Sequence, residues 1–136
     1  MRIVCLIGFL VLWFFSCDDE PSEDIVDITQ IEDMFIGSWL EYAPCDSCMQ
    51  VVFLENGQVE QVSRFDDMIL SMSYSVVSQN SIEVVRDWEF LPELNGKPTS
   101  HKFIFHTPDT LEILQLIPVA YGVTGFQDIQ MVKISR

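Results

Sequence analysis

Ile69-Leu70-Ser71-Met72-Ser73-Tyr74-Ser75-Val76-Val77 is the stretch that decides the fold. Successive side chains of an extended chain point to opposite faces, so Leu70, Met72, Tyr74 and Val76 share one side and Ser71, Ser73 and Ser75 the other. One apolar and one wet face is the signature of a half-buried strand. Working outward, residues 39–43, 49–55, 58–65, 81–87, 102–106, 110–116 and 127–135 read the same way, which makes eight strands. Asn56-Gly57 reads as a two-residue hairpin turn, and Gln79-Asn80, Asn95-Gly96 and Pro108-Asp109 supply turn chemistry at other junctions. The expected fold is all-β. A flat meander of eight strands leaves one apolar face wet, whereas an up-and-down antiparallel barrel buries that face and removes the edges. The interior of such a barrel is just wide enough for packed side chains or one small ligand.

Before the first strand, Thr29-Gln30-Ile31-Glu32 has the spacing of a capping box, and Ile28, Ile31 and Phe35 recur at helical intervals until Gly37. A short helix over this region is expected to close one end of the barrel. Residues 27–136 form the expected domain, enough chain for one core and not for two.

The chain opens Met1-Arg2, and residues 3–15 follow without a polar residue. That run is of signal-peptide length and falls short of the roughly 20 apolar residues that span a bilayer. Phe14-Phe15-Ser16-Cys17 resembles the bacterial lipobox, with Phe15 standing where a small residue is usual. The resemblance implies that residues 1–16 are a removable signal and that Cys17 becomes the lipid-bearing first residue, holding the protein to the membrane through several acyl chains. Residues 17–26, with Asp18, Asp19, Glu20, Glu23 and Asp24, read as an acidic tether. An acidic cluster in this place resembles the surface-export signal of Bacteroidota lipoproteins, which implies an outer-membrane, cell-surface address.

Loss of Arg2 with the signal leaves six basic against 21 acidic side chains, a net charge near −15. Such a surface repels nucleic acid and anionic headgroups alike. Cys5 leaves with the signal and Cys17 carries lipid, so Cys45 and Cys48 remain as a candidate disulfide in an oxidising compartment. Two other roles stay open for them. Redox work requires a cysteine at a helix N-terminus, and strands flank this pair. Soft sulfur from Cys45, Cys48 and Met49 suits Cu(I). His101 and His106 are five apart, face opposite sides of a strand, and read as surface or strand-end histidines. No nucleophile elbow, zinc-protease motif or phosphate loop is present. The expectation is a non-enzyme without a cofactor.

Gly37-Ser38-Trp39, opening the first strand after a short helix, resembles the lipocalin signature G-x-W. The resemblance implies that Trp39 plugs one barrel end beneath a basic side chain near the last strand, Lys133 or Arg136. Asp109-Thr110-Leu111-Glu112-Ile113 and the closing strand over 129–134 resemble the small lipocalin-like lipoproteins of Bacteroidota. That likeness speaks to fold and address rather than to activity. In a hollow barrel Leu70, Met72, Tyr74, Phe103 and Phe105 line a cavity for a small apolar ligand, with Trp88 and Tyr121 at its lip. In a filled barrel the same residues are core. A second, local resemblance runs from Trp39 through Pro44-Cys45-Asp46-Ser47-Cys48 to Phe53-Leu54. It is to the N-terminal barrel of copper-homeostasis, envelope-stress lipoproteins, from which Met49-Gln50 departs. It implies an alternative role, a Cys45/Cys48 loop that reports copper or redox state to an envelope protein partner. For the anchor, Cys17→Ala is expected to abolish fatty-acid labelling and membrane retention together, and a variant that still takes up labelled fatty acid contradicts the lipoprotein assignment.

Overall fold

A computed structural model describes residues 27–65, 67–118 and 125–135. Helix α1 (Ile28–Phe35) precedes eight strands: β1 (Gly37–Ala43), β2 (Met49–Phe53), β3 (Gln58–Ser63), β4 (Ile69–Ser78), β5 (Ser81–Arg86), β6 (Pro98–Thr107), β7 (Thr110–Pro118) and β8 (Phe126–Ser135). They form one closed barrel in chain order, and β8 returns to pair antiparallel with β1. The decisive strand folds as its alternation requires, with Met72 and Val76 buried and Ser71 and Ser75 exposed. The signal, Cys17 and the tether lie outside the described residues, as do Tyr121 and Arg136.

Two local expectations are corrected. The helix begins one residue before Thr29, because the Asp27 side chain reaches the Thr29 amide first (3.0 Å) and becomes the N-cap, leaving Thr29 inside the first turn. The β2–β3 connection has three residues rather than two. Leu54 and Gln58 are its last hydrogen-bonded positions, a tight turn joins the Gly57 amide to the Leu54 carbonyl at 3.1 Å, and Gly57 takes φ +76°. A glycine in the left-handed region absorbs the extra residue as a bulge. A Cβ there would stand 3.3 Å from the Tyr74 carbonyl of the neighbouring strand. Gln79-Asn80 and Pro108-Asp109 are two-residue turns, bounded by the pairs Ser78↔Ser81 and Thr107↔Thr110.

The up-and-down order gives the barrel two unlike ends. At one end lie α1, the hairpins following β2, β4 and β6, and the last residues of β8. Residues 44–48, 64–65, 67–68 and 87–97, which follow β1, β3 and β5, gather at the other. Phe35, fully buried, projects from the last turn of α1 into the first end, its ring centroid 4.9–5.7 Å from those of Phe53, Tyr74, Phe103 and Phe105. Gly37 at φ +127° then turns the chain into β1. The two carbonyls that end α1 are met from the wall: Trp39 Nε1 donates to the Phe35 carbonyl at 2.7 Å and Lys133 Nζ to the Met34 carbonyl at 2.8 Å. Lys133 Nζ also stands 4.8 Å from the Trp39 ring centroid, and the two residues are register partners across β1 and β8. Of the two basic residues expected over Trp39, Lys133 therefore occupies the place.

Removing the Phe35 ring leaves a cavity facing four aromatic rings. Phe35→Ala is expected to cost about 3–5 kcal/mol, read as a lower urea midpoint with an unchanged slope. A loss below about 1 kcal/mol is what a surface position gives, and it contradicts a plugged end.

Candidate functional site

The buried polar side chains among the described residues are Glu41, Gln61, Arg86 and His101. Each lies in the half of its strand remote from α1, and each continues an inward apolar phase: Glu41 after Gly37 and Trp39, Gln61 after Val59, Arg86 after Ile82 and Val84, His101 before Phe103. Period-2 geometry thus carries charge into the barrel wherever the sequence places it on the inward phase.

Arg86 is the centre of this cluster. Its Nη1 donates to the Thr99 hydroxyl, and its Nη2 donates to the Leu116 carbonyl at 2.8 Å and meets His101 Nε2 at 3.2 Å. The guanidinium carbon lies 5.3 Å from the Trp88 ring centroid and 5.5 Å from that of Phe126, within cation–π range. Burial lowers the Arg86 pKa to about 10, so the group stays charged at neutral pH. Among the described residues no carboxylate forms an ion pair with it.

An irregularity in β7 supplies the carbonyls. Register shifts between Ile113 and Ile117, where Gln115 adopts φ +54° and its amide donates to Asp128 Oδ1 at 2.9 Å. Across this bulge the Leu114 and Leu116 carbonyls meet His101 Nδ1 (3.3 Å) and Arg86. Bulges recur beside functional sites because they re-aim backbone and side chains. His101 Nε2 faces a guanidinium donor and so accepts, which leaves the proton on Nδ1, directed at the Leu114 carbonyl. Burial first, and then the Arg86 charge, holds its pKa below the usual histidine value.

Among the described residues, three buried side-chain polar atoms have no hydrogen-bond partner: Arg86 Nε, Trp88 Nε1 and Glu41 Oε2. Glu41 uses its other oxygen to accept from the Cys45 amide at 3.2 Å, and burial pushes its carboxyl up. It stands on β1, across the eight-strand ring from β5.

The expected site residues divide between the two ends. Tyr74, Phe103 and Phe105 belong to the aromatic cluster around Phe35, Met72 is buried core, and Leu70 packs partly buried against it. Trp88 is not a lip residue. It is 1% exposed beneath the loop and stacks on Phe90 at 5.6 Å, with Phe90 taking the exposed position instead. His101 is likewise no surface histidine. β6 begins at Pro98 rather than at Lys102, which sets His101 in the wall and facing inward, whereas His106 is outside and bonds Glu112 at 2.8 Å. Cys45 and Cys48 sit at disulfide distance, Cα atoms 5.6 Å apart, in the loop between β1 and β2. Met49, the third sulfur of the copper expectation, packs against the core. No group of three His, Cys, Asp or Glu side chains comes together among the described residues. A groove of about 510 Å³ beside the start of β1, lined by Ile36, Ser38, Val52, Leu54, Glu55 and Asn56, is open to solvent and has no converging charge.

Sequence reasoning missed Arg86, Thr99, Glu41 and Gln61. The signal for Arg86 was available, since Ile82-x-Val84-x-Arg86 keeps one phase to its end. Comparison with protein-family models and with curated proteins finds no match for this chain. The closed barrel is consistent with a lipocalin-like architecture.

The depressed His101 pKa makes a pH prediction. As pH falls from about 7 to 5, the unfolded chain takes up a proton near the ordinary histidine value of about 6.5 while the folded site resists it, so stability falls. Glu41 acts in the opposite sense, since a raised carboxyl pKa favours the folded state on the acid side. Denaturant midpoints of wild type and His101→Gln at the two pH values isolate the histidine. The variant is expected to lose less stability on acidification, and an equal loss contradicts a buried neutral imidazole.

Proposed function

We propose that this chain is an exported lipoprotein, held to the outer membrane and displayed at the cell surface by acyl chains on Cys17, whose barrel binds a small, largely apolar ligand without catalysis. The observation that carries the binding reading is the asymmetry of the barrel. Phe35, Trp39 and Lys133 fill and seal the α1 end. The interior of the opposite end keeps buried polar atoms without partners, and its rim bears the exposed apolar side chains Tyr42, Phe65, Met68, Ile69, Phe90 and Phe126. Convergent polar groups inside an apolar mouth are the makings of a ligand site.

The anchor reading is supported by the lipobox resemblance at Cys17 and by the outer face of the barrel. Ser71, Ser75, Glu83 and Lys102 are exposed on that face, where a lipid-embedded barrel presents an apolar band. No helix among the described residues is long and apolar enough to cross a membrane. The described domain begins at the α1 end, opposite the end that holds the buried polar cluster. Binding rather than catalysis is supported by His101, whose second nitrogen is bonded to a carbonyl and not to an orienting carboxylate.

Mass spectrometry of small molecules released by denaturing the purified native lipoprotein tests the reading. A stoichiometric small-molecule mass, distinct from the protein's own acyl chains, is expected. Release of detergent alone contradicts ligand binding.

A further inference from the structure

Resting on that reading, we infer that the ligand carries a carboxylate head, received inside the barrel by Arg86 Nε and Trp88 Nε1, with its apolar body lying among Leu116, Leu91 and Phe126. Both nitrogens are buried and unpartnered, and both can only donate, so neither satisfies the other. Whatever completes them is an acceptor. Water answers the hydrogen bonds but leaves the charge. A guanidinium with no exposed surface, enclosed by Trp88, Phe126 and Leu116, has lost its hydration, and no carboxylate of the described chain forms an ion pair with it. Glu41 hydrogen-bonds the Cys45 amide on the opposite side of the ring. An anion is therefore the missing partner.

Its class follows from charge and shape. The two donors belong to neighbouring groups, the guanidinium carbon lying 5.3 Å from the Trp88 ring centroid, a carboxylate offers two acceptor oxygens, and a single guanidinium neutralises a single negative charge. A multiply charged phosphate would meet the same lone cation inside a protein of net charge near −15, which repels polyanions. The aromatic and aliphatic side chains around Arg86 then favour an apolar remainder. Thr99, His101 and the Leu116 carbonyl hold the guanidinium in place, so the donor is fixed before the ligand arrives.

All eight strands close on one another between Gly37 and Ser135, so the chain from Asp18 to Arg136 serves for the test. It contains two tryptophans, Trp39 and Trp88, so a nitrogen-15 correlation spectrum has two indole N–H signals to follow. Titration with sodium octanoate is expected to shift the Trp88 indole signal and leave that of Trp39, already bonded to the Phe35 carbonyl, in place. Octanoate is expected to bind at least about tenfold more tightly than 1-octanol, and Arg86→Met to remove that preference. Equal affinity for octanoate and octanol in the wild type overturns the carboxylate site while leaving apolar binding intact. Failure of both to bind at millimolar concentration overturns both readings. Because the wild-type ratio decides the matter alone, an Arg86→Met chain that does not fold leaves the test complete.

Discussion

The contact of Lys133 with Trp39, made across the seam where β8 meets β1, is the constraint on which the rest of the structure depends. A barrel exists only if its last strand bonds its first, and this pair sits at that junction, as register partners and in cation–π range. The same two side chains also cap the final carbonyls of α1, groups that a helix terminus otherwise leaves without partners. The seam, the docked helix end and the inserted Phe35 are thereby joined through the same two side chains. A cation–π contact contributes only about 0.5–2 kcal/mol, so the pair acts less as glue than as a pin that sets register and seals one mouth.

Sealing one end shapes what the other can be. With the aromatic core gathered around Phe35, the remote half of the interior is where polar side chains are tolerated, and Glu41, Gln61, Arg86 and His101 all fall there. Placing them inside costs desolvation, which shows in the directions of their pKa values: Arg86 and His101 are lowered and Glu41 raised, burial being the leading cause each time. The bulge at Gln115 and the hydroxyl of Thr99 offset part of that cost by supplying acceptors to the guanidinium. A local departure from the apolar pattern, left incompletely satisfied, is the kind of inconsistency that functional sites carry.

The architecture was legible because it depends on period and punctuation. Serine alternating with large apolar residues from Ile69 to Val77 fixes both strand and facing, and Gly37-Ser38-Trp39 marks the plugged end. Boundaries were less legible where two signals competed. β6 starts at Pro98, four residues ahead of the expected Lys102, and that extension turns His101 from a strand-end position into an inward one. The candidate site was mostly hidden. Its members come from β5, β6 and the bulge of β7, and nothing local announces that an arginine ending one strand will meet a histidine fifteen residues on and a carbonyl thirty residues on. Only the inward phase of Arg86 pointed there, and the aromatic residues chosen for a cavity proved to belong largely to the opposite, sealed end.

Proton NMR of the seam tests the central claim most directly. The account predicts α-proton and amide contacts between β1 and β8, and Lys133 ε-methylene protons shifted upfield by the ring current of Trp39. Lysine signals at ordinary positions, together with the absence of any contact between β1 and β8, would show an open sheet and contradict the closed, one-end-sealed barrel.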